Sequence, residues 1–273
     1  MKIISTPTVE LLARQTFEWG NLTGWLAANG LEITAGVGEG ATSGGEVVAE
    51  ASGRVCYLSY TNPRPGGNAA YLKHIKEVGH GSVLEHAVYT FLISGVSRAL
   101  THELVRQRVG VAYSQLSQRY VDESQAEYVV PSIIASDPDL YTIWRGCVSG
   151  AHAGYVALAD ALNAKLLNSD WAARWLTPYQ AKNTTERRKA ARQAARSVLP
   201  NATETKLSFT ANARALRHLF DLRAKVEAEP EIRVLALSIW RKAVGESPNL
   251  FGDYKEQPLP DGTAELYTDY PKV

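Results

Sequence analysis

AVYTFLISGVSRALTHELVRQRVGVAYSQLSQRY, residues 87–120, carries three patterns in immediate succession. Its first ten residues alternate loosely and are rich in β-branched and aromatic side chains, as a half-buried strand requires. SRALTHELVRQR then changes to helical spacing. Over 96–107, Val96, Leu100 and Leu104 recur at i, i+4 and i+8 and form one apolar stripe. Arg98, His102 and Arg106 recur at the same interval on roughly the opposite face. Like charges stacked this way oppose one another by about 0.2–0.5 kcal/mol per pair. The face is therefore either a solvated basic surface or a seat for an anion. The remainder, with Arg108, Ser114, Gln115, Ser117, Gln118 and Arg119, reads as a polar, Gly-containing loop. Its guanidinium forks, hydroxyls and amides suit a phosphate and a heterocycle.

Outward from this stretch the chain alternates strands and helices. Towards the N-terminus, helices are expected over about 67–79 and 46–57, and an opening strand over 8–14. The intervening 20–45 is rich in Gly, Thr and Ala and reads as a mobile excursion. Towards the C-terminus, an Ala- and Leu-rich helix is expected from about 138 to 167 and a shorter basic one from 184 to 197. ETKLSFTANA, from Glu204, alternates Lys206, Ser208 and Thr210 against Leu207 and Phe209 and reads as a strand. Asn212 is placed to cap the helix that follows, over 213–226, and IRVLALSIWRKAVGE forms the last clear helix. Past 250, Pro258, Pro260 and Gly262 mark an irregular tail. With no repeats and no linker, the pattern is that of a single α/β (α+β) domain spanning 1–273, with a mixed sheet flanked by helices.

Composition narrows the function classes. In 273 residues, 45% apolar and 21% charged is ordinary for a soluble globular chain, which argues against disorder. A net charge of +1 gives no general attraction to nucleic acid or to a membrane surface, so any anion site must come from local clustering. The N-terminus lacks the long apolar stretch of a secretory signal, and runs such as VLALSIW are far too short to span a bilayer. Two cysteines without CxxC spacing, Cys56 and Cys147, indicate neither a disulfide framework nor a zinc site and fit a reducing cytoplasm. Neither GxGxxG nor GxxxxGK[ST] occurs, and there is no GxSxG elbow or paired metal-ligating histidine. Neither cysteine has an activating neighbourhood. A protein thiol is therefore an unpromising nucleophile, and electrons for any redox step would have to come from a cofactor.

Basic residues concentrate on two further helices. On 213–226, Leu216, Leu219, Phe220 and Leu222 are counted to one face, and Arg223 falls in the same stripe. A guanidinium there needs an acceptor, either an internal carboxylate or a ligand. Arg214 and His218, at i and i+4, lie on another face. On 184–197, Ala190, Ala191, Ala194 and Ala195 are expected to face a neighbour beside the basic stripe Arg188, Arg192 and Arg196. Of these, Arg196 is the best placed to reach inward.

RQRVGVAYSQLSQRY, preceded by GHGSVLEHAVYTF and followed by RQAARSVLPNATET and TANARALRHLFDLRA, resembles the flavin-dependent thymidylate synthase family from about residue 46 to 252. Four separated motifs in the family's order make the likeness specific. It implies an α/β fold, a homotetramer with active sites at subunit interfaces, and bound FAD. It also implies NADPH as reductant, methylenetetrahydrofolate as one-carbon donor, and a 5-methyl pyrimidine nucleotide as product. By the same resemblance, FAD is held by Ser82, Arg106, Gln107, Arg108, Gln115, Asn212, Arg214 and His218. The uracil nucleotide is held by Glu103, Arg106, Gln115, Leu116, Ser117, Gln118, Arg119, Arg196 and Arg223, with Arg98 assisting at the phosphate. Arg223 is the catalytic residue, polarising the uracil edge, and Ser117 serves binding rather than nucleophilic attack.

Two departures stand out. Gln107 replaces the histidine of the family's Arg-His-Arg, and eight residues rather than seven separate Arg108 from Ser117. They point towards relatives in nucleoside-antibiotic pathways that methylate UMP as well as dUMP. Two other readings stay open: a family member that binds flavin or nucleotide without methylating, and a nucleic-acid-binding module using the Arg-rich helices, which requires salt-dependent affinity for oligonucleotides.

Overall fold

The computed structural model describes residues 2–33, 36–62 and 64–271. Strands are β1 (Lys2–Ile4), β2 (Thr8–Arg14), β3 (Val88–Ser97), β4 (Val111–Gln115), β5 (Glu127–Val129), β6 (Glu204–Asn212), β7 (Lys255–Pro258) and β8 (Ala264–Tyr267). Helices are α1 (Trp19–Ala28), α2 (Gly44–Val55), α3 (Gly67–Glu77), α4 (Arg98–Leu104), α5 (Ser132–Ala135) and α6 (Pro138–Lys165). They continue as α7 (Ser169–Trp175), α8 (Pro178–Lys182), α9 (Thr184–Ala195), α10 (Ala213–Arg223), α11 (Pro230–Glu246) and α12 (Pro248–Phe251). The α/β class follows, as expected. The chain's contacts gather into two compact units, each described by itself below.

The first unit comprises residues 1–6, 94–103 and 115–207. In it β1 pairs in parallel with β5, placing Ile3 beside Tyr128. Tyr128 and Val148 form its core with Ala126, and Ile3, Trp144 and Ala202 pack around them. The long helix α6 starts where Asp137 accepts hydrogen bonds from the backbone N–H groups of Asp139 and Leu140, with Pro138 in the first turn. Against it packs α9, capped by Asn183. Only Ala191 and Ala195 of the four alanines expected to face a neighbour are buried; Ala194 is exposed. Two helices between 168 and 183 were not legible. α8 nevertheless carries a complete capping box at Thr177 and Gln180, in a segment too short for periodicity to register.

The second unit comprises residues 7–93, 104–114 and 208–273. The sheet runs β2-β3-β6-β4, and the portions of all four strands that fall in this unit bring Phe91, Phe209 and Tyr113 into one stack. Several expectations change here. The stretch 20–45 is not simply an excursion. It holds most of α1, and Leu26 and Val37 bury against Tyr60. Gly20 and Gly24 disguise that helix, and Thr34 and Ala35 of the same stretch lie outside the described residues. The helix expected over 96–107 stops at Leu104, with Val96 still in β3, and the polar loop after it contains β4. The tail past 250 is not irregular throughout, because β7 and β8 pair as an antiparallel hairpin turned around Gly262. Its last two residues lie outside the described set.

That hairpin explains the largest correction. On α10 the apolar stripe was counted to include Leu222, which is 53% exposed, and the cation sealed inside is Arg217 rather than Arg223. α10 packs against the 81–86 turn, α11 and β8, so more than one of its faces is covered. Arg217 is fully buried and meets Asp253 through two parallel hydrogen bonds of 2.8 Å. It also donates to the carbonyls of Leu250 and Tyr270. Lys76 donates to Asp253 at 2.7 Å, and Thr268 adds a further short hydrogen bond. Burial, the largest single influence, pushes the Asp253 carboxyl up. Arg217 and Lys76 together outweigh it and hold Asp253 well below the ordinary carboxylate range. No helix among the described residues is long and apolar enough to cross a membrane.

Replacing Arg217 with Met leaves Asp253 buried with Lys76 as its remaining cationic partner, and urea unfolding at pH 7 is expected to show a loss of about 3–5 kcal/mol. Because the folded Asp253 titrates below its unfolded value, its stabilisation is complete above about pH 4 and fades as the pH falls further. The gap between wild type and variant therefore narrows at pH 3. A loss under about 1 kcal/mol at pH 7 would show that the pair does not anchor the tail.

Candidate functional site

Two polar clefts, one in each unit, gather most of the residues singled out from the sequence. The cleft of the second unit encloses about 430 Å³ and is lined by Arg106, Gln107, Arg108, Gly110, Asn212, Arg214 and His218, with Glu85, Val109, Ala215, Asp221 and Pro271. One wall is α10. Asn212 accepts from the Ala215 N–H at 2.8 Å and so caps the helix, as expected. Its own N–H donates to the Gly110 carbonyl at 3.0 Å.

The opposite wall is the 104–110 turn. Gln107 donates from Nε2 to the Ala215 carbonyl at 2.7 Å, which fastens the turn to α10. The Tyr113 hydroxyl bonds the carbonyls of Leu104 and Gln107. Burial pushes that phenol up to about 12, against a smaller opposing effect of Arg108. Gly110 sits at φ +71°, and a Cβ there would come within 2.6 Å of the Asn212 side-chain amide. Only glycine allows this approach.

The donors suit a pyrophosphate-bearing group such as FAD. Three guanidiniums, an imidazole and two amides converge there, matching the charge and hydrogen-bond needs of linked phosphates. Arg214 pairs with Glu85 at 2.6 Å, both side chains being nearly half exposed, so the pair is weak enough to rearrange around a ligand. Of the residues assigned to flavin, Ser82 is exposed in the 81–86 turn and does not line this cleft, and Gln115 belongs to the first unit.

The cleft of the first unit encloses about 400 Å³, lined by Arg98, His102, Gln118, Gln193, Arg196, Ser197 and Asn201, among others. Arg98 opens α4, its N–H donating to the Thr203 carbonyl at 2.9 Å and its Nη1 to the Leu116 carbonyl at 3.4 Å. Burial lowers the Arg98 pKa; Glu123 opposes the shift and Arg196 adds to it. Two neighbouring guanidiniums in a partly desolvated cleft are unfavourable until an anion separates them. Gln115 donates to the hydroxyls of Thr101 and Thr205 at 3.0 and 3.3 Å. Leu116 is held by the Lys206 carbonyl, and Ser117 organises the turn by accepting from the Arg119 N–H.

Other assignments scatter. Glu103 is half buried on α4, and Arg119 lines an apolar cleft among α6, α7, α8 and α9 rather than the Arg98–Arg196 cleft. The basic stripe read on 96–107 is divided, Arg98 and His102 lining one cleft and Arg106 the other. Arg223 is half buried at the last position of α10.

Sequence reasoning gave no role to Gln193, Ser197, Asn201, Glu85 or Asp221. Gln193 lies three residues before Arg196 and Asp221 three after His218, so helical spacing carried a signal for both.

The chain matches the family described as "Thymidylate synthase complementing protein" over residues 40–249. The flavin-dependent thymidylate synthase of Mycobacterium sp. strain JLS is 47% identical over 222 residues, covering 81% of this chain and 84% of that protein. Those of Mycolicibacterium gilvum strain PYR-GCK and Mycobacterium leprae strain Br4923 are each 46% identical over the same span. The match takes in every lining residue of both clefts except Pro271, and the chain belongs to the thymidylate synthase complementing protein family.

Proposed function

We propose that the protein is a flavin-dependent methyltransferase acting on C5 of a uracil nucleotide, dUMP, UMP or both. The one-carbon donor is methylenetetrahydrofolate and the reductant NADPH. The observation that carries this reading is the second unit's cleft, where Arg106, Gln107, Arg108, Asn212, Arg214 and His218, drawn from two separated motifs, converge. Bound flavin supplies the two electrons that turn the transferred methylene into a methyl group.

The chain's own residues do the rest. Arg98 and Arg196 neutralise the nucleotide phosphate, and Gln118 adds a hydrogen bond from the same cleft. Arg223 polarises the uracil edge and favours loss of the N3 proton. The ring becomes electron-rich, and C5 attacks the methylene carbon; as the new carbon–carbon bond forms, the methylene's bond to the folate nitrogen breaks, tetrahydrofolate leaves and the C5 proton departs. A fixed guanidinium stabilises that charge without reorganising. Cys56 and Cys147 are both exposed and line neither cleft, which accords with attack by the activated ring rather than by a protein thiol. Glu103, Gln115, Leu116, Ser117 and Arg119 position the nucleotide, Ser82 and Gln115 reach the flavin, and the working assembly is a homotetramer. The longer spacing before Ser117 favours a relaxed choice of sugar, as in enzymes of nucleoside-antibiotic formation.

Purified protein is expected to be yellow. With FAD, NADPH and methylenetetrahydrofolate it should add 14 mass units to dUMP or UMP, run in parallel and read by mass (about the mass of one CH₂). Arg223→Ala should keep its flavin yet lose methylation by at least about 10²-fold, the usual scale for removing a charge-stabilising donor. Protein that binds flavin and nucleotide but gives no methylated product with either acceptor would reduce the reading to binding alone.

Gly110→Ala forces a Cβ onto the Asn212 amide in a backbone conformation that disfavours side chains. FAD affinity by fluorescence titration should fall about tenfold, with a stability loss of about 1–2 kcal/mol from the strained turn and weakened cap. Unchanged affinity would show that the Gly110–Asn212 contact is not part of the flavin seat.

A further inference from the structure

We infer that Asp221 is a specificity-determining residue of the second unit's cleft. Its carboxylate receives the hydroxyl-bearing, uncharged ribose of a dinucleotide, and the guanidiniums of Arg106, Arg108 and Arg214 receive its bridging phosphates. This rests on the reading of that cleft as the flavin seat.

The placement follows from helix geometry. Arg214, His218 and Asp221 stand at i, i+4 and i+7 of α10, hence on one face, and all three line the cleft. Seven residues of α-helix rise about 10 Å. One wall therefore grades from cation to anion along the helix, the order in which an adenosine diphosphate presents its phosphates and its sugar hydroxyls. A ligand that satisfies both ends carries an anionic centre and, displaced from it, a pair of O–H donors. A carboxylate accepts from a vicinal diol with both oxygens and repels a phosphate placed on the same sugar.

The carboxylate is also held in place. Tyr254, only 4% exposed, shares its hydroxyl between Asp221 Oδ1, at 2.9 Å, and the Arg217 carbonyl, at 3.1 Å. The Tyr254 ring lies under the Arg217 guanidinium, 4.7 Å from its centroid, and that guanidinium is fixed by Asp253. Desolvation raises the Asp221 pKa, with Tyr254 and Arg217 opposing. A partly desolvated acceptor kept rigid by a buried tyrosine has the form of a recognition group rather than of a solvated surface charge.

The test is fluorescence or calorimetric titration of wild type, Asp221→Asn and Tyr254→Phe with FAD, FMN, ADP and adenosine 2′,5′-bisphosphate. Thermal melts accompany each variant. Asparagine keeps the shape and the acceptor for Tyr254 but loses the charge. Asp221→Asn is expected to weaken FAD and ADP by about the same factor, near tenfold, and to leave FMN within twofold. The 2′-phosphorylated analogue should gain relative to ADP. Tyr254→Phe, which frees the carboxylate without removing it, should give a smaller loss in the same pattern. Equal losses for FAD and FMN, or no loss for ADP, would overturn the assignment of Asp221 while leaving the flavin seat intact. Wild-type protein that binds none of the four ligands would overturn the seat itself.

Discussion

Arg217 and Asp253, two charges sealed against each other in the second unit, hold α10 to the segment that follows α12. An arginine cannot shed its proton, so burying it commits the chain to delivering a carboxylate and carbonyls to the same spot. Asp253, Leu250 and Tyr270 meet that demand from three points of the C-terminal region, and Lys76 joins from α3. Tyr254 is fixed on top of this arrangement, and through it the outward face of α10, with Arg214, His218 and Asp221, is presented at a defined angle. Tyr254 thereby links the ion pair to Asp221 in the cleft wall, although neither member of that pair lines the cleft.

The first unit solves a different problem. Arg98 and Arg196 are brought together although they repel, one by the hydrogen bonds that tie the start of α4 to residues 201–203, the other by the turn that ends α9. Strand and helix geometry determine both positions, so the repulsion is absorbed by the scaffold and persists as an attraction for anions. Gln118, Ser197 and Asn201 surround the pair with neutral groups, which can orient a phosphate without adding to the repulsion.

Elements with strong periodicity, such as β3, β6, α6 and α10, were legible because a single pattern of apolar residues determined each. So was the Asn212 cap, a local relation between one side chain and one N–H. What escaped depended on partners distant in sequence. Arg217 reads as an ordinary polar residue until Asp253, thirty-six positions on, is placed beside it, and the hairpin that brings Tyr270 and Thr268 to the same cluster was hidden by prolines and a glycine. The 96–107 helix was overextended for the converse reason. Its i, i+4 spacing continues through Arg106, but Tyr113 captures the carbonyls of Leu104 and Gln107 and turns the chain aside. Six residues that line the second unit's cleft were singled out from motif resemblance, whereas Asp221 on the same face was passed over for want of a motif.

Gln107 has a consequence of its own. Its amide joins the 104–110 turn to α10 at a carbonyl, through a group with no proton to gain or lose between acid and base. A histidine in this place would make the joint sensitive to the surrounding acidity, since imidazole changes charge close to neutrality. With glutamine this joint keeps its hydrogen bond across that range, and any acidity dependence of the cleft must originate in other groups of the chain or in its ligands.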